Sequence, residues 1–334
     1  MKKKFKLLAI LSGVIMLSGL YSCSDNKENL VKDDDIYKIG INQIVQHSAL
    51  DSAREGFIDG LKEKGYVDGY NIEIDYENAQ GDVSIAQTIS KQFVNNKVDM
   101  IFAISTSSAQ SAYNATKEIP IVFTAVTDPV AAGIAESFES SGNNVTGMSD
   151  MVSMTEQISL LKEIVPSISN IGVIYNTSEA NSIVQVDELK VAAKESDLKV
   201  KEISITTVNE INQNLSANIK DIDALYVPTD NTVASAYELV GNICLNNNIA
   251  MLCAEEAGVS KGGLCSIGID YYQLGKETAY KAVEVIEGKK PSEIKIEKSS
   301  EMNVTINSDA AKKINIEIPK EIEEKAQIIT GGVN

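Results

Sequence analysis

The sequence predicts an α/β protein built as two doubly wound parallel-sheet lobes. Three observations carry that prediction. Strand-like and helix-like segments alternate along the chain. The alternation runs twice. In each round an apolar strand ends on a Thr-Asp pair, in "AVTDPVAAG" at 125–133 and "YVPTDNTVASA" at 226–236. Alternating βα units give a parallel sheet with helices on both faces. A length of 334 residues suits two domains, and a hydrophobic content of 43% can fill both cores. Aromatics are 5% and Trp is absent, so those cores must rest on Ile, Val, Leu and Ala.

The elements follow in order. "YKIGINQIV" reads as a strand, and "LDSAREGFIDGLKEKGY" as a helix with Leu50, Ala53, Phe57, Ile58 and Leu61 on one face. "NIEIDYENA" alternates as a second strand. "SIAQTISKQFVNNKV" is a helix with Ile85, Ile89 and Phe93 on one stripe. "DMIFAIS" (strand), "SSAQSAYNAT" (short helix) and "IPIVFTAV" (strand) complete the first round. The second round opens on "SMTEQISLLKEIVP", a helix started by a capping box from Ser153 to Glu156 and closed by Pro166. "NIGVIYN", "KVKEISI", "DALYVPT" and "IAMLCAE" are its strands. "ANSIVQVDELKVAAKESD", "INQNLSANIKDI" and "VASAYELVGNICLNNN" are its helices. Asp99 and Asp223 precede the third strand of each round and occupy matching places.

Residues 1–22 read as an export signal: four lysines (Lys2, Lys3, Lys4, Lys6), then an apolar stretch from Leu7 to Leu20. That stretch is shorter than the roughly 20 residues a membrane-spanning helix needs. "LYSC" at 20–23, followed by polar "SDNKEN", resembles a bacterial lipoprotein processing site, with Cys23 as the lipidated residue and Tyr21 bulkier than usual for its place. Residues 23–35 then read as a flexible tether. The whole chain carries a net charge of −17, and losing those four lysines brings it to about −21. So acidic a body repels phosphate backbones, which argues against nucleic-acid partners. Cys244, Cys253 and Cys265 are odd in number and read as core residues. With one histidine, His47, and no CxxC spacing, no metal site is expected.

In open parallel sheets ligands bind beyond the carboxyl ends of the strands, where helix N-termini offer unpaired N–H groups. The residues following each strand are therefore the candidate ligand contacts. They are Gln46 and His47; Ser105, Thr106 and Ser107; Thr127 and Asp128; Asn176, Ser178, Glu179, Asn181 and Ser182; Thr229, Asp230 and Asn231; and Asp270 with Tyr271. This set holds hydroxyls, amides and acids but no Lys or Arg. Asp128, Glu179, Asp230 and Asp270 suit a ligand with a positive group. A zwitterionic amino acid satisfies both requirements, its carboxylate on helix N-termini and hydroxyls, its ammonium on an Asp. Catalytic residues are not expected, because nucleophilic chemistry lacks a base other than His47. Neither GxGxxG nor a P-loop occurs, so no nucleotide cofactor is expected.

"IGINQIVQHSALDSAREGFIDGLKEKGY", "VFTAVTDPVAAG", "NVTGMSDM", "YNTSEANS", "YVPTDNTVASA" and "IDYYQLG" resemble the ABC-transporter substrate-binding lipoproteins of the tryptophan/tyrosine-binding type, over about residues 37–300. The resemblance implies a type I periplasmic-binding-protein fold, with two α/β lobes joined by three crossover segments. The expected lobes are 36–148 with 268–295, and 149–267 with 296–334. It also implies a monomeric, extracytoplasmic, membrane-anchored protein. Such a protein captures an aromatic amino acid by hinge closure and delivers it to a permease served by a separate ATPase. The rival readings are a sensor feeding a receptor, an importer for a non-aromatic amino acid or other small amine, an exported enzyme and a purely adhesive lipoprotein.

Overall fold

The computed structural model describes residues 36–299 and 302–333. The signal segment, the tether and Cys23 lie outside the described residues.

The first round begins with β1 (Tyr37–Gln43), α1 (Ser48–Glu63), β2 (Ile72–Asn78) and α2 (Val83–Asn95). It continues through β3 (Met100–Ile104), α3 (Thr106–Ala115), β4 (Ile121–Thr124) and β5 (Val145–Ser149). The second comprises α4 (Met154–Ile164), β6 (Asn170–Asn176), α5 (Ala180–Glu195), β7 (Lys199–Ile205) and α6 (Ile211–Asn218). It runs on through β8 (Ala224–Val227), α7 (Asn231–Ala234), α8 (Tyr237–Asn246), β9 (Ala250–Cys253), α9 (Glu256–Val259) and β10 (Cys265–Ile269). The remainder is α10 (Tyr271–Ile286), β11 (Glu297–Lys298), β12 (Met302–Asn307), α11 (Ser308–Lys313), α12 (Lys320–Glu323) and β13 (Gln327–Ile329).

Among the described residues the strands form two sheets, ordered β11-β5-β4-β3-β1-β2 and β13-β12-β10-β9-β8-β6-β7. Pairing is parallel throughout except between β10 and β12. The chain passes between sheets three times: after β5, between β10 and α10, and between β11 and β12. The expected lobe limits differ slightly from this. The limits after residues 148 and 267 cut β5 and β10, and the limit after 295 precedes β11, which pairs with β5 in the first sheet.

Repetition reaches single hydrogen bonds. Asp99 accepts from Lys38 N at 2.7 Å, and Asp223 accepts from Asn170 N at 2.8 Å. Each acid thus ties the start of the third strand of its lobe to the start of the first.

Buried aliphatics fill both cores, as the low aromatic content requires. Phe57 and Phe102 stack at 3.6 Å between α1 and β3. Helix α10 returns to the first lobe and packs on α1 at very close range. A Cβ on Gly56 would strike the carbonyl of Tyr272, and one on Gly275 would strike the carbonyl of Ala53. Two helix expectations need correction. Ile85 is exposed rather than part of the buried stripe, and Ile58 is only half-buried. The single helix expected over 233–248 is two, α7 and α8, broken where Ala236 takes a non-helical conformation.

Candidate functional site: the cleft between the lobes

The two Thr-Asp corners meet. Thr127 Oγ1 and Thr229 Oγ1 lie 3.2 Å apart across the seam. Gln185 Nε2 donates to Thr229 Oγ1 at 2.7 Å, and Thr127 Oγ1 donates to Asp150 Oδ1 at 2.9 Å. The proton directions follow: Gln185 donates to Thr229, Thr229 to Thr127, and Thr127 to Asp150. Tyr271 OH donates to the other oxygen of Asp150 at 2.8 Å. A second cross-cleft approach places His47 Nε2 within 3.5 Å of Asn231 Oδ1. Asn231 uses its Nδ2 on Glu179, so its oxygen faces His47 as an acceptor. That arrangement favours the proton on Nε2 and leaves Nδ1 as a lone pair. Burial lowers the His47 pKa from its ordinary value. Two residues beside the cleft, Ser105 (φ 94°) and Ala125 (φ 55°), hold left-handed backbone without being glycine. Such strain is maintained only where surrounding structure imposes it.

The predicted acids divide into three kinds. Glu179 is saturated by its own lobe: Asn231 N, Asn231 Nδ2, Thr232 N and Thr232 Oγ1 all donate to it at 2.8–3.0 Å. Asp230 likewise accepts from Asn176 N (2.6 Å), Ser182 Oγ (2.7 Å) and Val233 N (2.9 Å). Burial and the neighbouring Glu179 raise its pKa. Asp128 and Asp270 are caps. Asp128 accepts from Val130 N and Ala131 N, and Asp270 from Gln273 N at the start of α10. None of the four is left as a bare counter-ion.

The other predicted contacts also have definite places. Gln46 and Ser178 are exposed. Ser105 caps α3, and Ser107 lies in its buried first turn. Asn176 bonds Thr232, and Asn181 bonds the carbonyl of Thr229 at 2.7 Å. Three recesses flank the seam. One of about 340 Å³ lies between Val83 and Ser107 on one lobe and Glu179, Thr207 and Asn231 on the other. One of about 310 Å³ lies between Ser48, Ser52 and Tyr271 and the acidic pair Glu255 and Glu256. The third, of about 860 Å³, opens beside Asp128, Met151, Glu188 and Lys298.

Two residues at the seam escape sequence reasoning: Asp150 after β5 and Glu255 after β9. "NVTGMSD" and "IAMLCAE" each end a strand on an acid, the same signal that singled out the other corners. Both are buried, and burial pushes both carboxyls up, Glu255 to about 8 with help from the charge of Asp150. Buried polar atoms without partners cluster here too: Glu255 Oε2, Tyr237 OH, His47 Nδ1, Thr106 Oγ1 and Asn181 Oδ1. Buried polar groups normally find partners, so these mark where a polar ligand fits. Among the described ion pairs, none involves Asp150, Glu179, Asp230 or Glu255. Of the aromatics, Phe123 and Tyr226 are core, Tyr175 bonds Glu202 and Tyr272 bonds Asp59. Tyr271 joins the seam through Asp150, and Tyr226 reaches it by donating its hydroxyl to Gln185 Oε1 at 3.2 Å.

Residues 38–329 match the family model described as ABC transporter substrate binding protein. The chain belongs to that family. It is 46% identical to a tyrosine-binding protein of Clostridioides difficile, over 95% of this chain and 94% of the relative. A solved ABC domain in complex with L-Trp from Streptococcus pneumoniae superposes with a TM-score of 0.86 at 36% identity, covering 88% of this chain and 100% of that one. A ligand-free, open structure of a Clostridium difficile substrate-binding protein with adhesive properties gives 0.69 at 46% identity, covering 89% and 100%. The fold is therefore the type I periplasmic-binding-protein fold, and members of the family bind solutes rather than transform them. The open, ligand-free relative thus has the greater identity and the lower TM-score. This substrate-binding protein superposes better on the liganded one, as fits lobes that touch through Thr127 and Thr229.

Proposed function

We propose that this substrate-binding protein captures a free aromatic amino acid (tryptophan, tyrosine or phenylalanine) between its lobes and hands it, lobes closed, to a membrane permease driven by a separate ATPase. The observation that carries the reading is the set of unpartnered buried polar atoms supplied by both lobes at a seam with several acids and His47. Thr106 and the first turn of α3 suit the ligand carboxylate, since helix N-termini favour anions. The tyrosine-binding relative and the L-Trp complex support the aromatic side chain. Binding groups on both lobes favour closure by the difference in affinity between the two states. The family works outside the cytoplasm. An export signal at 1–22, lipidation of Cys23 and action as an anchored monomer complete the proposal.

A thermal-shift and calorimetric screen against the twenty amino acids tests it. A ligand at 100 times its Kd adds about 2.7 kcal/mol of stability. For lobes of this size that is a rise of roughly 5–10 °C in Tm. The expected hits are aromatic. A chain indifferent to every amino acid but stabilised by a neutral sugar or an anion would overturn the reading.

A further inference from the structure

We infer that Glu255 is the residue that selects a protonated amine on the ligand, and that seating this amine drives a proton out of the cleft. The inference rests on the reading of the cleft as an amino-acid site. Glu255 is 3% exposed and its Oε2 has no partner. The neighbouring Tyr237 hydroxyl, equally buried, makes no well-formed hydrogen bond either, though it lies close enough to oppose part of the rise in the Glu255 carboxyl. Both belong to the second lobe, yet Glu255 faces first-lobe residues Ser48, Ser52 and Tyr271 across the recess of about 310 Å³. A group there reaches both lobes, so its ligand contact forms only when they close.

The surroundings exclude an internal counter-ion. The titratable groups acting on Glu255 or sharing its recess are Asp150 beyond β5, Glu179 and Asp230 at the starts of α5 and α7, Tyr237 on α8, Tyr271 on α10, Cys253 on β9, and Glu256 and Asp270. None of them is a cation. Of the acids predicted from sequence to hold an ammonium, Glu179 and Asp230 are occupied by backbone and side-chain donors, while Asp128 caps a turn and Asp270 the start of α10, neither of them buried. Asp150 already receives two hydroxyls. Glu255 is the buried acid at the seam with an oxygen still to satisfy; Asp270, in the same recess, is exposed to solvent.

An isolated buried carboxylate is costly, so the group takes a proton instead. Burial and the charge of Asp150 push its carboxyl up to about 8, so the empty cleft holds it protonated at neutral pH. A ligand ammonium supplies the missing positive charge. The O–H proton then leaves to solvent, the carboxylate accepts from the ammonium, and no covalent bond forms. The raised carboxyl also sets the sign of a ligand-free effect. The contribution of Glu255 to stability is present below the ordinary carboxyl range and is lost as pH rises through about 8.

The test uses calorimetry with L-tyrosine and with 3-(4-hydroxyphenyl)propanoate, its amine-free analogue, on the wild-type chain and E255Q. Runs in buffers of different ionisation enthalpy count protons. The wild type should release close to one proton per L-tyrosine near pH 7 and should reject the analogue. E255Q should release none and bind L-tyrosine on the order of 100-fold more weakly. Without ligand, the Tm of the wild type should fall more steeply than that of E255Q between pH 6 and 9, which also shows that the variant folds. Binding of L-tyrosine that is indifferent to E255Q, or heat independent of buffer, overturns this inference alone. Failure of all twenty amino acids to bind the wild type overturns the reading of the cleft and this inference with it.

Discussion

Asp230 shows how a residue that looks like a ligand contact can be a brace. Its carboxylate receives the N–H of Asn176, the N–H of Val233 and the hydroxyl of Ser182, so it joins the end of β6 to the starts of α5 and α7. Asp230→Ala would leave those buried donors unpaired. Bonds to charged groups contribute about 1.5–3 kcal/mol each, and breaking such a network costs about 3–5 kcal/mol. Chemical denaturation of the empty chain should show that loss for Asp230→Ala and much less of it for Asp128→Ala, whose cap is partly solvated. Equal stability of the two variants would show that Asp230 is not the brace described.

Among elements, the pair α1 and α10 decides how the late part of the chain reaches the first lobe. Both helices carry glycine where they cross, and an added Cβ would enter the facing backbone rather than a movable side chain. Gly275→Ala should therefore destabilise the protein despite the better helix propensity of Ala, by at least the roughly 1–3 kcal/mol typical of overpacking. A Tm unchanged or raised in Gly275→Ala would mean the helices can separate without cost. The break between α7 and α8 has a related origin. The first turn of α7 is fixed by Glu179 and Asp230, while Tyr237 at the start of α8 is buried in the core. Continuous apolar periodicity in "VASAYELVGNICLNNN" cannot report that constraint, because part of it comes from Glu179, some 50 positions earlier. Ile85 escapes its stripe because the first turn of α2 stands at the rim of the cleft recess lined by Val83.

For the whole molecule, closure rests on a short file of donors running from Gln185 through Thr229 and Thr127 to Asp150. Each such bond contributes about 0.5–1.5 kcal/mol net. Thr127→Val and Thr229→Val should each weaken ligand binding up to about tenfold. Because they act on one contact, their effects should couple by a similar 0.5–1.5 kcal/mol in a double-mutant cycle. Small-angle scattering should show both variants shifted toward a larger radius of gyration when empty. Strictly additive effects, with unchanged scattering, would remove the seam from the account of closure.

The sequence by itself determined the two lobes, the order of most elements up to β9 and most of the strand ends on which the cleft is built, because periodicity, capping residues and βα alternation are local. It also showed that the cleft residues are polar and acidic, with His47 and no Lys or Arg among the candidates. What only the tertiary structure decided is which of those acids are already satisfied. Glu179 and Asp230 spend both oxygens on donors brought to them by folding, and Asp128 and Asp270 stay partly or wholly in solvent as local caps, whereas Glu255 is buried with one oxygen free. Composition and spacing report that a carboxylate is present. Whether it is satisfied depends on donors from distant segments and on burial, and those exist only once the lobes have folded and met.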